Sequence, residues 1–335
     1  MDIINYGRGV GPTIPELVGN VSQVLLMAQI SYYTFPSTRG SAGMNSSTFL
    51  NVTQMANKHL CSPDSDIDGL AMIHGTSTLE ETAFGVDLTL NCSKPFVVVG
   101  SMRPDTYYSP DGRAKFYQAV AAAVSPESRD RGGMIVLNDH ISSIFYSTKT
   151  NTNTPDTFKA FEQGNMGSFL GGQPYYYWGK SYPVNRPYFD VTNTTILPSV
   201  ITLFGHQGFD ASLMFATVAN GAEGLVIIGP GPGSISSSAA ANAAILVKQG
   251  IPVIVAARTV TDAARRRLPV ALLYADYVSG EQARIMLQLA INANYTMDKI
   301  HDLFEYKLHK TIFGNWANKV LYGIDGASIP GFSHL

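Results

Sequence analysis

The sequence predicts an α/β fold in two parts, a larger N-terminal parallel-sheet domain and a smaller C-terminal α/β domain. Three observations carry that prediction. Continuous apolar runs of strand length alternate with helical stretches, the alternation stops across a Pro-, Asn-, Thr- and Tyr-rich stretch from Ser181 to Pro198, and it restarts beyond. A chain of 335 residues that is 45% hydrophobic has enough apolar surface to bury two cores.

Taken in order, Leu70-Ala71-Met72-Ile73 reads as a strand, Leu79 to about Leu90 as a helix and Pro95 to Gly100 as a second strand, which together make a βαβ unit. A helix from Gly112 to Val124 and a strand Met134-Ile135-Val136-Leu137 follow. Strands this uniformly apolar belong in a parallel sheet covered on both faces. The run Tyr175-Tyr176-Tyr177-Trp178 fits an edge strand that covers the core. After the break come a strand Val200 to Phe204, a helix near Ala211 to Ala219, a strand Gly224 to Gly229, a helix Ser236 to Lys248 and a strand Pro252 to Ala256. Helices at about Gly280 to Ala293 and Met297 to Tyr306 close the second domain, the latter opened by Thr296 as N-cap. The expected organisation is a first domain over 1–181, a linker over 182–198, a second domain over 199–306 and an extension over 307–335, whose aromatic, Gly and Pro residues show no clear period.

Composition excludes several function classes. The net charge is −2, and the Lys and Arg residues are scattered apart from Arg265-Arg266-Arg267, so there is no broad basic face for nucleic acid. No apolar run reaches the roughly 18 residues of a membrane-spanning helix. No H-E-x-x-H, no metal-type Cys pairs and no G-x-S-x-G elbow occur, so no metal or cofactor is expected. Compartment is read two ways. Residues 1–7 have neither a basic start nor an apolar core, which puts a chain starting at Met1 in the cytoplasm. Yet sequons begin at Asn20, Asn45, Asn51, Asn91, Asn193 and Asn294, which are acceptors only in a secretory pathway unless they arise by chance in an Asn/Ser/Thr-rich chain. Cys61 and Cys92 bracket one strand and one helix; a single bridge in an oxidising compartment and two buried thiols are both open readings.

The sharpest local feature is His74-Gly75-Thr76-Ser77-Thr78-Leu79-Glu80-Glu81-Thr82, where an apolar strand ends in Gly and hydroxyl residues just before a helix. Ligands of α/β proteins sit at the carboxyl ends of strands, and a helix N-terminus offers free N–H groups to an anion or oxyanion. Simple capping by Ser77 or Thr78, with Glu81 completing a capping box, accounts for the same residues. His74 and His206, at strand ends, read as structural hydrogen-bonding histidines.

The segment Ile73 to Ala83 closely resembles the H-G-T-D-T-x-E-E-T-A signature of the type II bacterial and fungal L-asparaginases. The resemblance runs on through Lys94-Pro95, Gly100-Ser101-Met102-Arg103-Pro104, Ser109-Pro110-Asp111-Gly112, Asn138-Asp139, Thr148-Lys149-Thr150-Asn151 and Gln282 to Ala290, spanning about Asn5 to Tyr306. It implies the asparaginase-like α/β fold, a small-molecule amide or amino-acid-like substrate, no cofactor and a homo-oligomer, dimer or tetramer. Cys61 and Cys92 fall where secreted members carry a disulfide, which would place a full-length protein outside the cell or in its wall. The implied reaction takes L-asparagine and water to L-aspartate and ammonia through a threonine acyl-enzyme. By resemblance, Thr76 and Lys149 supply the Thr and Lys of a Thr–Lys–Asp cluster. A hydroxyl needs an adjacent base, and a lysine set among apolar residues can have its pKa lowered towards neutrality.

The departures from that pattern fall on the substrate and catalytic positions. Tyr6 looks like the tyrosine that ends the family's mobile lid, so the chain is expected to start after the T-G-G-T-I turn that carries the primary nucleophile and to lack its first strand. Ser77 stands where the signature has Asp, replacing a carboxylate that would hold the substrate ammonium. A charge-assisted hydrogen bond is worth roughly 1.5–3 kcal/mol, or about one to two decades. Around Gly40 to Asn45, Ser41 fits a substrate-carboxylate contact while Ala42 replaces a Gln. In Gly229 to Ser234 the turn puts Ser234 where the family has Asn, and the family's acidic residue from a neighbouring subunit has no clear match near Asp262 to Arg267. Two expectations follow: a truncated reading of a secreted asparaginase, or a member repurposed for a less charged ligand or left as an inert pseudoenzyme.

Overall fold

A computed structural model describes residues 11–35, 40–184, 186–264 and 272–304. The chain divides into two compact units, Met1–Leu197 and Pro198–Leu335. In the first, strands β1 (Leu70–Ile73), β2 (Phe96–Val99) and β3 (Met134–Leu137) run parallel, with Ala71 beside Val97 and Val98 beside Ile135. Every residue of β2 and β3 is buried, as the absence of polar alternation requires.

The sheet then turns antiparallel through β4 (His140–Ser143), β7 (Gly167–Leu170) and β8 (Gln173–Tyr176), in the order β1-β2-β3-β4-β7-β8. A separate two-stranded ladder, β5 (Thr148–Lys149) with β6 (Phe158–Lys159), lies between them in sequence. The switch is made by Asn138 and Asp139, both at positive φ (53° and 62°), which join β3 directly to β4. Two consecutive left-handed residues give the turn whose twist matches a hairpin, and Asn and Asp tolerate it best after Gly. β8 is the outer strand, in agreement with the edge position expected for the tyrosine run; Tyr176 packs inward while Tyr175 and Tyr177 are exposed.

Two helices, α1 (Ile14–Asn20) and α2 (Ser46–Ala56), precede the sheet. The first is opened by a Thr13–Glu16 capping box, and its Leu17, with Val21 and Val24 of the turn that follows, packs against Phe116 and Val120. The second starts at Asn45, whose side chain accepts from Thr48 N–H at 2.8 Å. It runs on as a short π turn, Asn57–Cys61, which brings Cys61 to Cys92. The two cysteines form a disulfide with Cα atoms 5.3 Å apart and a sequence separation of 31. Helix α3 (Leu79–Thr89) lies inside that loop, and α4 (Gly112–Val124) covers the sheet through Ala119, Ala122 and Ala123. Closing such a loop stabilises by about 3–4 kcal/mol in the chain-entropy model. The double variant Cys61→Ser/Cys92→Ser should therefore show a lower urea midpoint with a stability loss of that order, and an unchanged midpoint would mean that the crosslink does not constrain the unfolded chain.

In the second unit, β9 (Val200–Phe204), β10 (Gly224–Gly229), β11 (Val253–Ala257) and β12 (Leu273–Tyr274) form a parallel sheet in the order β12-β11-β10-β9. Helices α5 (Ser212–Ala219), α6 (Ser237–Lys248) and α7 (Gly280–Asn292) flank it. Met214, Ala239, Ala243 and Leu246 pack on Leu225, Ile227, Val253 and Val255. Ser236 caps α6, and Ser279 with Gln282 forms a capping box on α7. The chain is helical again over 297–304, where Thr296 accepts from Lys299 N–H at 3.4 Å. No helix among the described residues is long and apolar enough to cross a membrane. Tyr6, Arg265-Arg266-Arg267 and the extension over 307–335 lie outside the described residues.

Candidate active site

β1 delivers the segment that follows it to the carboxyl edge of the first sheet. His74 N–H still donates to Val99 O at 2.9 Å, and the chain then leaves the sheet through Gly75. Thr76, only 8% exposed, points its hydroxyl at the amine of Lys149, with Nζ donating to Oγ1 at 2.9 Å. The two residues are 73 apart in sequence. Lys149 sits on the short strand β5, and its backbone N–H donates to the carboxylate of Glu80 in the first turn of α3. Burial pushes the Lys149 amine below the usual lysine range, and Glu80 partly offsets this by favouring the charged form.

Ser41 joins the same site from the other side. It begins a short 3₁₀ turn, Ser41–Gly43; its hydroxyl accepts from Ser77 N–H at 3.1 Å, and its carbonyl accepts from the Thr78 hydroxyl at 2.8 Å. That contact needs glycine at position 75, because a Cβ there would lie 2.8 Å from Ser41 Oγ. Gly100 is needed in the same way: a Cβ would lie 2.7 Å from His74 O and 2.8 Å from Thr76 Cγ2. The capping alternative takes a different form here. Thr78 occupies the N-cap position of α3 but makes no side-chain cap bond, its hydroxyl being committed to Ser41.

The loop after β2 is held by a half-buried acid. Asp111 accepts from Met102 N–H at 3.2 Å and Arg103 N–H at 3.0 Å, with the Ser101 hydroxyl at 2.5 Å and the Lys115 amine paired to it. Burial pushes the Asp111 carboxyl up, but the bonds from Lys115, Ser101 and Arg103 outweigh it, so it stays below the usual range. The Ser101 to Pro104 and Ser109 to Gly112 segments thus form one scaffold beneath Gly100.

The structure therefore brings Thr76, Lys149, Ser41 and Ser77 together. Ser234 belongs to the second unit, exposed just beyond β10 in a turn where Gly231 and Gly233 have positive φ and Ser234 N–H donates to Pro230 O at 2.9 Å. His74 and His206 each set Nδ1 against the next residue's carbonyl, at 2.7 and 2.8 Å. Burial pushes His74 below the usual histidine range. No group of three or more metal-binding side chains is found among the described residues. The residue that sequence reasoning passed over is Glu80; its place in the first turn of α3 looks like ordinary helix-dipole chemistry, and only the fold brings β5 to it.

A family model described as "Asparaginase, N-terminal" matches residues 4–182, and one described as "Glutaminase/Asparaginase C-terminal domain" matches residues 199–304. The chain is 40% identical over 316 residues to "Probable L-asparaginase 3" of Schizosaccharomyces pombe, covering 90% of this chain and 85% of that protein. It is 36% identical over 304 residues to "L-asparaginase 2-3" of Saccharomyces cerevisiae, covering 89% and 83%. Among solved structures, a probable cytoplasmic L-asparaginase from Campylobacter jejuni superposes with a TM-score of 0.82 at 31% identity, covering 88% of this chain and 92% of that one. With both halves of the fold matched, and matched in order, the chain belongs to the asparaginase family.

Proposed function

We propose that the chain is an amidohydrolase that cleaves a primary carboxamide through a threonine ester, the expected reaction being L-asparagine and water to L-aspartate and ammonia. One observation carries this reading: a lysine amine disfavoured in its charged form lies 2.9 Å from a buried threonine hydroxyl at the carboxyl edge of a parallel sheet. The Thr76 proton passes to the Lys149 amine as Oγ1 bonds to the carboxamide carbon. The C–N bond then breaks and the nitrogen takes that proton, leaving as ammonia. Water hydrolyses the ester, restoring the hydroxyl and releasing the carboxylate.

A second reading is favoured by Ser77, exposed and neutral beside this pair. With a hydroxyl there in place of a carboxylate, the site suits a ligand less charged than an amino acid, or binds without turnover. Ammonia release measured with asparagine, glutamine and a neutral amide such as propionamide separates these. Release from asparagine alone supports the first reading, preference for the neutral amide supports the second, and release from none of them leaves a cleft that binds without hydrolysing.

We also infer a secreted, type II member that assembles from several copies. In support, all six sequon asparagines are exposed, and the Cys61–Cys92 disulfide suits an oxidising compartment. The exposed Ile201, Phe204, Leu213 and Phe215 of the second unit offer apolar surface for a second copy. The substrate-binding roles of Ser41, Tyr6 and Ser234 belong to the same proposal.

A further inference from the structure

Lys149 is tied to the Thr76 segment at two points. Its amine reaches the Thr76 hydroxyl, and its backbone N–H is held by the Glu80 carboxylate. Thr76 and Glu80 are four residues apart on one loop-to-helix segment, Thr76 in the turn and Glu80 in the first turn of α3, so both anchors belong to a single stretch of chain. Strand β5 is two residues long and pairs only with β6 among the described residues; the bonds of Thr150 and Asn151 to Thr157 extend that ladder but tie it to the β6 side. A bond from a main-chain N–H to a carboxylate is charge-assisted, roughly twice as strong as a neutral one, and is suited to such a task.

We propose that Glu80 is the positioning residue of the reactive pair: its carboxylate clamps the backbone of Lys149 so that the amine meets Thr76, and it leaves a negative charge beside that amine. The proposal rests on Thr76 and Lys149 being the reactive pair. The charge works against burial, since desolvation favours the neutral amine and Glu80 favours the charged one. Among the described residues, Glu80 on α3 is a charged group whose field favours the protonated Lys149 amine. On β6, Lys159 stands opposite Thr148 in the register and is paired with Asp156.

E80Q keeps an oxygen for the Lys149 N–H and removes the charge, whereas E80A removes both. Competitive acetylation of lysine amines across pH, read peptide by peptide by mass spectrometry, follows the titration of Lys149 whether or not the protein turns over. The expected result is a Lys149 midpoint at lower pH in E80Q, with the acid limb of ammonia release moving the same way. E80A should lose about ten- to a hundredfold in kcat with a smaller change in KM. A midpoint identical in E80Q and the parent protein, or full kcat in E80A, overturns the proposal. A midpoint that shifts in a protein releasing no ammonia would uphold the Glu80 charge beside the amine and overturn the hydrolase reading instead.

Discussion

On the proposed mechanism, Thr76→Ala and Lys149→Met should each lower ammonia release by about 10²–10⁴-fold, the range spanned by positioned proton-transfer groups. Combining them costs little more than either alone, because a hydroxyl and the amine 2.9 Å from it act as one unit. The proposed reaction also predicts a pH signature for the parent protein. Lys149 must be neutral to take the Thr76 proton, and its pKa is lowered by burial, so turnover rises with pH and levels off below the range of an ordinary lysine. Initial rates of ammonia release across pH check this. A rate that Lys149→Met leaves untouched, or one that keeps climbing into the usual lysine range, removes the pair from the reaction.

Ser77→Asp should raise kcat/KM for asparagine by about ten- to a hundredfold, the value of one charge-assisted hydrogen bond to a substrate ammonium. Ser77 is exposed and its N–H, rather than its side chain, makes the contact with Ser41, so the larger side chain meets no packing penalty. The new carboxylate also favours the protonated form of the nearby Lys149, so the acid limb should move to higher pH. The diagnostic is selectivity. Asparagine gains and propionamide does not, and equal gains for both would show that position 77 acts on the chemistry rather than on the ammonium.

Much of the fold was legible in order. Leu70 to Ile73, Met134 to Leu137, Gly224 to Gly229 and the helix from Gly112 to Val124 have the expected bounds, since buried parallel strands and their covering helices leave long apolar patterns. Helices α1 and α2 were not read. Ser46 to Ala56 is rich in Ser, Thr and Asn, and its apolar positions Phe49, Val52 and Ala56 signal a helix only once Asn45 is recognised as a cap. Of the antiparallel half of the sheet only the tyrosines of the outer strand were read; Gly167 to Leu170 and Gln173 to Pro174 carry Gly and Pro, and the pairing depends on the left-handed turn at Asn138 and Asp139.

What the sequence by itself determined is the family pattern: the order of strands and helices and the hydroxyl-rich end of β1 with Thr76 and Ser77. Local periodicity and the steric demands of turns are written residue by residue, so they survive being read in one dimension. The resemblance implied that Thr76 and Lys149 share a cluster; only the tertiary structure supplied their 2.9 Å contact, the Glu80 anchor on Lys149 and the demand for glycine at Gly75 and Gly100. Those are contacts between segments up to 73 residues apart, and their geometry depends on backbone approaches of a few ångströms that no spacing in the sequence encodes.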